Sequence, residues 1–369
     1  MKKMRIGVLT SGGDCAGLNS AVKSIVWSAT DDRVQRDNGV EMEVFGLRDG
    51  WRGLLNAEPS GPKFEENIWP LDRKIVRTWD RYGGTYLGTS RTNPFDPKND
   101  RSKLAADNIH KLGLDALIAI GGDDTIGAAI KLAQLGVNVV GIPKTIDKDL
   151  PETDYSLGFE TALNVIVEEI DRLRTTAGSH HRVMVVEIMG RTAGWLGLEG
   201  GEAAGADIIL IPEYDFSIDR VNELLLEKHR AGAKYQIVAA SEGAKPVGKG
   251  EIYRSDMTDS FGHKILGGLG EWLADEIAKG TKLETRSVLL GHLQRGGTPC
   301  AYDRRMGKYF GIAAVGMVLK GDFGQMVCYK NGSISSVPFE KVKGRLSLVD
   351  PLTQYDTERY NGRRIIPGI

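Results

Sequence analysis

The sequence has almost no net charge. It carries 48 lysines and arginines against 49 aspartates and glutamates in 369 residues, a formal balance of -1. Nucleic acid and anionic membranes both call for a basic excess, so neither is expected as the main partner, and any charge that holds an anion must be local. Cysteine is scarce: Cys15, Cys300 and Cys328 are the three. They show no metal or disulfide spacing and suit a reducing compartment. Apolar runs are short, none reaching the ~18 residues of a membrane-spanning helix. Met1-Lys2-Lys3-Met4-Arg5 leads directly into a strand with no secretory apolar region, so a cytoplasmic location is expected. No internal sequence repeat is present. Glycine, by contrast, is abundant at 47 residues and clusters at strand-to-helix turns, where phosphate-binding folds need it.

The pattern alternates between strand and helix. Strands are expected at Arg5 to Thr10, Leu117 to Ile120 and Val137 to Ile142, with helices from about Gly17, from Ser102 to Leu112 and from Ile126 to Leu135. The alternation then restarts. Phe159 to Thr176 is amphipathic, with Leu163, Ile166, Ile170 and Leu173 on one face. Strands at Val183 to Ile188, Ile208 to Ile211, Gln236 to Ala240 and Ser287 to Leu290 follow, with helices at Ile218 to Arg230, Ile265 to Ala278 and Arg304 to Leu319. Met326 to Tyr329 and Ser333 to Val337 flank Lys330-Asn331-Gly332, a hairpin signature. The expected fold is α/β: two doubly wound, Rossmann-like units with the active site in the cleft between them. Residues 1–157 form one unit, joined by part of 291–345; residues 158–290 form the other; and residues 346–369 form a tail with no readable pattern.

Two strand ends gather glycines, carboxylates and a lysine. Gly121-Gly122-Asp123-Asp124-Thr125 follows one apolar strand, and Pro143-Lys144-Thr145-Ile146-Asp147-Lys148-Asp149 follows the next. A carboxylate at a glycine turn can hold a Mg²⁺ ion bridging phosphates. The plainer alternative is that Asp124 or Thr125 caps the next helix. If Thr145 to Asp149 is extended, Asp147 and Asp149 point the same way, and one can take a proton from a sugar hydroxyl. Ser11-Gly12-Gly13-Asp14 is a third turn, equally compatible with phosphate binding or with steric need alone. Arginines stand at further strand ends: Arg91 after Gly88-Thr89-Ser90, Arg182 before one strand, Arg191 after Met189-Gly190, and Arg295 in Gly291-His292-Leu293-Gln294-Arg295-Gly296-Gly297.

Taken in order, Gly12-Gly13-Asp14 with Gly17-Leu18-Asn19, Gly83-Gly84-Thr85 through Arg91, Gly121-Gly122-Asp123, Thr145-Ile146-Asp147, Met189-Gly190-Arg191, Glu242 and Gly291 to Gly297 resemble the bacterial-type 6-phosphofructokinase family over roughly residues 4 to 340. The resemblance implies phosphoryl transfer to O1 of fructose 6-phosphate, giving fructose 1,6-bisphosphate. It makes Asp147 the general base, Asp123 the Mg²⁺ position, Gly13 a donor-phosphate contact, and Arg91 a stabiliser of charge on the transferring group. Thr145, Ile146, Asp147, Met189, Gly190, Arg191 and Glu242 match sugar contacts, with Arg191 also at the catalytic centre. Arg182, Arg286, His292 and Arg295 match the 6-phosphate pocket. The family draws Arg182 and Arg286 from a neighbouring subunit, which implies a homo-oligomer, dimer or tetramer.

The donor is read from two positions. Family members that use ATP have glycine where this chain has Asp124 and Lys144. Asp124 would lie against the α-phosphate of ATP, whereas Lys144 offers a point charge to a transferred or leaving phosphate. The pair resembles the pyrophosphate-dependent subgroup; a simple Asp124–Lys144 ion pair, or use of ATP, is the alternative. Lys148 replaces a usual asparagine, Ala16 a common proline, and Lys23 and Trp27 the two first-helix arginines of allosteric members. The last change implies no regulation by ADP or phosphoenolpyruvate. Kinases of NAD and diacylglycerol share a Gly-Gly-Asp element but lack the Met-Gly-Arg and Gly-His-Leu-Gln-Arg elements. A catalytically silent homologue is favoured only by Lys148.

Overall fold

The computed structural model describes residues 1–258 and 264–363. The chain divides into two compact units. The first holds Met1–Ile146, Leu150–Thr161 and Arg295–Leu346; the second holds Asp147–Asp149, Ala162–Gln294 and the chain from Ser347 onward.

In the first unit, β1 (Lys2–Thr10), β2 (Val40–Leu47), β3 (Ile68–Leu71), β4 (Ala116–Gly121) and β5 (Val139–Pro143) join the hairpin strands Gln325–Lys330 and Ser333–Pro338 in one 7-stranded sheet. β2, β1, β4 and β5 run parallel in that spatial order. β3 and Ser333–Pro338 are antiparallel edges. β4 is buried at every position, as an apolar strand covered on both faces must be. The chain leaves β1 for β2 on one side and returns to β4 on the other, so the topological switch point lies at the carboxyl ends of β1 and β4. Leu47, Trp51, Leu54, Ile109, Leu117, Ile126 and Phe339 pack in one cluster of this unit's core. Each such side chain contributes about 1.5–3 kcal/mol by leaving water.

In the second unit, β6 (Val183–Ile188), β7 (Ile208–Leu210), β8 (Gln236–Ser241) and β9 (Thr285–Leu289) form an all-parallel sheet in the order β9, β6, β8, β7. The doubly wound α/β expectation therefore holds for both units, with antiparallel edges added to the first. Among the described residues, no helix is long and apolar enough to cross a membrane.

Four local expectations change. Thr145 to Asp149 is not extended: Ile146 and Asp147 lie in a turn and Lys148 has φ +54°, so the alternation argument for Asp147 and Asp149 fails. The helix expected from Ile126 starts at Asp123, with Gly122 as its cap residue and no side-chain capping bond. The helix expected from Ile265 starts at Leu269, because Gly267 and Gly268 have positive φ and break a helical path. The tail also has a place. Tyr355 is buried and donates to the carbonyl of Ile209 at 2.6 Å, and Ile209 N donates to the carbonyl of Tyr360 at 2.7 Å. The last residues of that tail, 364–369, lie outside the described residues. The hairpin forms as expected, with Asn331 and Gly332 both at positive φ.

Candidate active site

In the first unit, the switch point brings the Ser11-Gly12-Gly13-Asp14 turn and the start of the Asp123–Gln134 helix onto one edge. Ser11 N donates to the carbonyl of Ile120 at 3.1 Å, tying the two strand ends together. Lys144 follows β5. It is 4 % exposed, its backbone N donates to the carbonyl of Gly121 at 3.0 Å, and its Nζ donates to the carbonyl of Gly13. A buried ammonium is thus aimed into the glycine turn, where desolvation strengthens its interaction with any anion. The Arg91 loop docks on the same turn. Thr89 Oγ1 donates to the carbonyl of Gly12 at 2.6 Å and Ser11 Oγ to that of Ser90 at 3.2 Å. Arg91 itself is exposed at the end of that loop.

Asp123 and Asp124 open their helix, where the exposed N–H groups and the dipole favour negative charge. Both keep solvent contact. The protein packed around Asp123 raises its carboxyl above the ordinary value, and the Asp124 carboxylate beside it adds to the rise. Two adjacent carboxylates repel each other, and a cation bound between them would relieve that repulsion. Among the described residues, no cluster of three or more His, Cys, Asp or Glu side chains could enclose a metal ion. Asp123 and Asp124 nonetheless supply the hard oxygens that suit Mg²⁺, whose remaining ligands are commonly phosphate oxygens and water.

Arg295 lies at this edge too. Its NH1 donates to the carbonyl of Asp14 at 3.5 Å, and a Cβ added at Gly13 would overlap the guanidinium. A side chain at position 13 would therefore displace the Arg295 guanidinium from its present place. The Nε of Arg295 is buried with no hydrogen-bond partner among the described residues.

Thr145 and Ile146 are buried, and Ser156 Oγ holds Thr145 by its carbonyl at 2.7 Å. Asp147 follows in the turn, half-buried. Lys148 Nζ lies 2.7 Å from the Glu199 carboxylate and 5.0 Å from the centre of the Trp195 ring.

In the second unit, the loop Met189-Gly190-Arg191 leaves β6 with Gly190 at φ +135°, a conformation that requires glycine. Glu242 leaves β8 alongside: its N donates to the carbonyl of Ile188 at 2.8 Å, and Gly243 N to that of Gly190 at 3.2 Å. Met189 N donates to Gln294 Oε1 at 3.3 Å. Arg182 and Arg286 precede and open neighbouring strands and share one carboxylate, Glu284, at 2.8 and 2.9 Å. His292 is exposed on the short 3-10 turn Gly291–Arg295.

Several contributors carry no role in the sequence reading: Asn19 and Gln294 lie inside its motifs, Ser156 and Glu213 outside them. Gln294 and Ser156 are buried orienters inside or beside recognised segments. Asn19 takes Tyr86 N at 2.9 Å and gives to the carbonyl of Tyr82 at 2.9 Å, fixing the loop that leads to Arg91. Glu213 Oε1 accepts from Gly194 N at 2.8 Å and from Val349 N at 2.9 Å. Burial raises the Glu213 carboxyl, and these backbone donors oppose the rise. No spacing rule marks such residues, since their partners are far away in sequence.

Residues 5–318 match the family described as Phosphofructokinase. The chain is 46% identical over 370 residues to a protein of Amycolatopsis methanolica named pyrophosphate--fructose 6-phosphate 1-phosphotransferase, covering 99% of this chain and 100% of the relative. It is 48% identical to one of the same name from Dictyoglomus thermophilum, over 95% of this chain and 96% of the relative. An ATP-dependent 6-phosphofructokinase of Chloroflexus aurantiacus is 42% identical over 95% of this chain and 94% of its own. Among solved structures, a pyrophosphate-dependent phosphofructokinase of Marinobacter aquaeolei superposes with a TM-score of 0.80 at 21% identity, covering 99% of this chain and 89% of that one. By fold, by the glycine and carboxylate turns at the switch point of the first unit, and by the matched span, this chain belongs to the phosphofructokinase family.

Proposed function

We propose that this protein transfers a phosphoryl group reversibly from pyrophosphate to O1 of fructose 6-phosphate, giving fructose 1,6-bisphosphate. The observation that carries the choice of donor is the buried Lys144 ammonium at the Gly13 carbonyl, beside a helix that opens with Asp123 and Asp124. A compact cation in the glycine turn suits a small, highly charged diphosphate, and the Asp124 carboxylate disfavours a third phosphate carrying adenosine. Mg²⁺ held by Asp123 would neutralise charge on the donor oxygens. Gly13 N–H would contact the donor phosphate. Asp147 would take the O1 proton as the new bond forms. Arg91 and Arg191 would stabilise the charge spread over the transferring group.

On the sugar side, Thr145, Ile146, Met189, Gly190, Arg191 and Glu242 would orient the ring hydroxyls. Arg182, Arg286 and His292 would take the 6-phosphate, with Arg295 joining them by turning its guanidinium away from Gly13. Glu284 already holds Arg182 and Arg286 together, which supports their serving one anion. We place Arg182 and Arg286 in the neighbouring subunit's site of a cytoplasmic, non-allosteric homo-oligomer, dimer or tetramer. Use of ATP is the second possibility, supported by the Chloroflexus aurantiacus relative's name. A coupled assay with Mg²⁺ and fructose 6-phosphate, run with each donor in turn, separates the two. Turnover with ATP and none with pyrophosphate refutes the proposal.

A further inference from the structure

The segment after Leu346 lies outside the matched span of residues 5–318, yet it touches two of the elements that carry sugar-side residues. Ser347 N donates to the carbonyl of Asp149 at 2.7 Å, two residues from Asp147. The carbonyl of Ser347 accepts from Trp195 Nε1 at 3.0 Å. The face of the same indole lies under the Lys148 ammonium, so Trp195 meets the Asp147–Asp149 turn directly at Lys148 and indirectly through Ser347. One residue pair further on, Val349 N and Gly194 N both donate to Glu213 Oε1. Gly194 closes the loop that starts at Met189 and carries Arg191. A cavity of about 410 Å³ sits beside Arg191, and Leu348, Val349 and Pro351 form part of its wall.

The far end of the segment is firmly attached. Tyr355 is buried against Ile209, Ser217 N donates to the Tyr360 hydroxyl at 2.9 Å, and Asn361 Nδ2 donates to the carbonyl of Ala206 at 3.0 Å. A segment anchored this way transmits the rigidity of the β7 edge to the two loops it bridges.

We infer that Ser347–Asn361 is a positioning strap for the sugar side of the site, with Trp195 and Glu213 as the two positioning residues through which it fixes the Asp147–Asp149 turn and the Met189–Gly194 loop. This deepens the functional proposal and rests on it for the identity of the sugar. A group that only positions these loops should act on the sugar and leave the donor turn of the other unit alone. That separation distinguishes a strap from general stabilisation.

The test uses the full chain with Trp195→Phe, Glu213→Ala and Glu213→Gln. Trp195→Phe keeps the ring and removes the N–H; Glu213→Gln keeps the Oε1 acceptor. The expected result is a rise of about 5- to 20-fold in KM for fructose 6-phosphate in Trp195→Phe and Glu213→Ala, with KM for the phosphoryl donor within about two-fold. Rescue to within about three-fold is expected in Glu213→Gln. Amide hydrogen exchange, which needs no turnover, should be about ten-fold faster in peptides covering 147–149 and 189–194 in Glu213→Ala, and unchanged in peptides covering 116–134. Equal shifts in both KM values, no shift in either, or faster exchange across both units would overturn the strap. If the wild-type protein turns over neither donor, the functional proposal fails, while the exchange measurement still decides the strap.

Discussion

The Lys144 ammonium donates a hydrogen bond to the carbonyl of Gly13, so a cation from the end of β5 is built into the turn that ends β1. In the donor-binding role proposed for it, a side chain fixed there beforehand would contribute charge without reorganising, the arrangement most useful to a small anion. Replacing Lys144 by glycine together with Asp124→Gly should lower kcat/KM for pyrophosphate by about 10²–10³-fold, a loss of roughly 3–4 kcal/mol of transition-state stabilisation. Steady-state kinetics with both donors checks this. The same double variant is expected to show measurable turnover with ATP, because the carboxylate proposed to oppose a longer phosphate chain is gone.

Asp147→Asn should lower kcat by about 10²–10⁴-fold while changing KM for fructose 6-phosphate by less than about three-fold. Asparagine keeps the shape of the turn and removes the proposed base. The acid limb of the pH–rate profile should disappear with it; retention of that limb would move the base elsewhere.

Arg182 and Arg286 can be tested as residues that serve a neighbouring subunit. Arg286→Ala and Asp147→Asn homo-oligomers should each be nearly inactive. Unfolding and refolding them together should restore activity, because hybrid oligomers then contain sites with an intact base from one subunit and an intact arginine from the other. Mixtures no more active than the separate proteins would place both residues in one subunit's site.

Cys15 gives a pH prediction. It is fully buried, and desolvation pushes its thiol up from 9.0 to about 12, against the pull of Lys144. The folded thiol keeps its proton where the unfolded one loses it. The stability it carries is therefore complete below pH 9.0 and is lost as pH rises toward about 12. At pH 10 the loss should be about 1.4 kcal/mol relative to pH 8. Urea unfolding of wild-type and Cys15→Ala proteins at the two pH values measures it, and the variant should lack that share of the difference.

Asp303 tests the internal scaffold of the first unit. Its carboxylate is wholly buried and accepts from Tyr155 Oη and Gly158 N at 2.6 Å and from Thr161 N and Oγ1 at 2.9 and 2.6 Å. The Tyr155 hydroxyl is pushed upward by burial first and by this carboxylate second. Asp303→Ala leaves those donors unmatched and should cost about 3–5 kcal/mol in urea unfolding. Tyr155→Phe, which removes one donor of the set, should cost about 1 kcal/mol.

The parallel core was legible in the sequence because β4 and β5 are short apolar runs that end in glycine or proline, and such runs have few other fates. The hairpin at Asn331-Gly332 was legible for its turn chemistry. Between Asp31 and Arg101 the sequence reading names a glycine-rich motif but no strand or helix, although Val40, Met42 and Val44 alternate with exposed or half-buried glutamates in the manner of a strand near a sheet edge. The turn at Asp147 was misjudged because left-handed Lys148 is held by tertiary partners, and a lysine gives no local sign of positive φ. The tail was unreadable for a related reason. Its order comes from Tyr355, Tyr360 and Asn361 reaching polypeptide some 140 to 155 residues away, not from any period of its own.

The carboxylate of Glu284, set between Arg182 and Arg286, would make that arginine pair, in the phosphate-binding role proposed for it, an exchanger rather than an empty receptor. An arriving phosphate would take over guanidinium bonds that the carboxylate gives up, so the two cations would not be left facing each other unscreened. Occupied and vacated forms then differ less in energy than they would around bare arginines. The barrier to unloading falls along with the affinity, a useful property for any catalyst that must release its ligand in either direction of turnover.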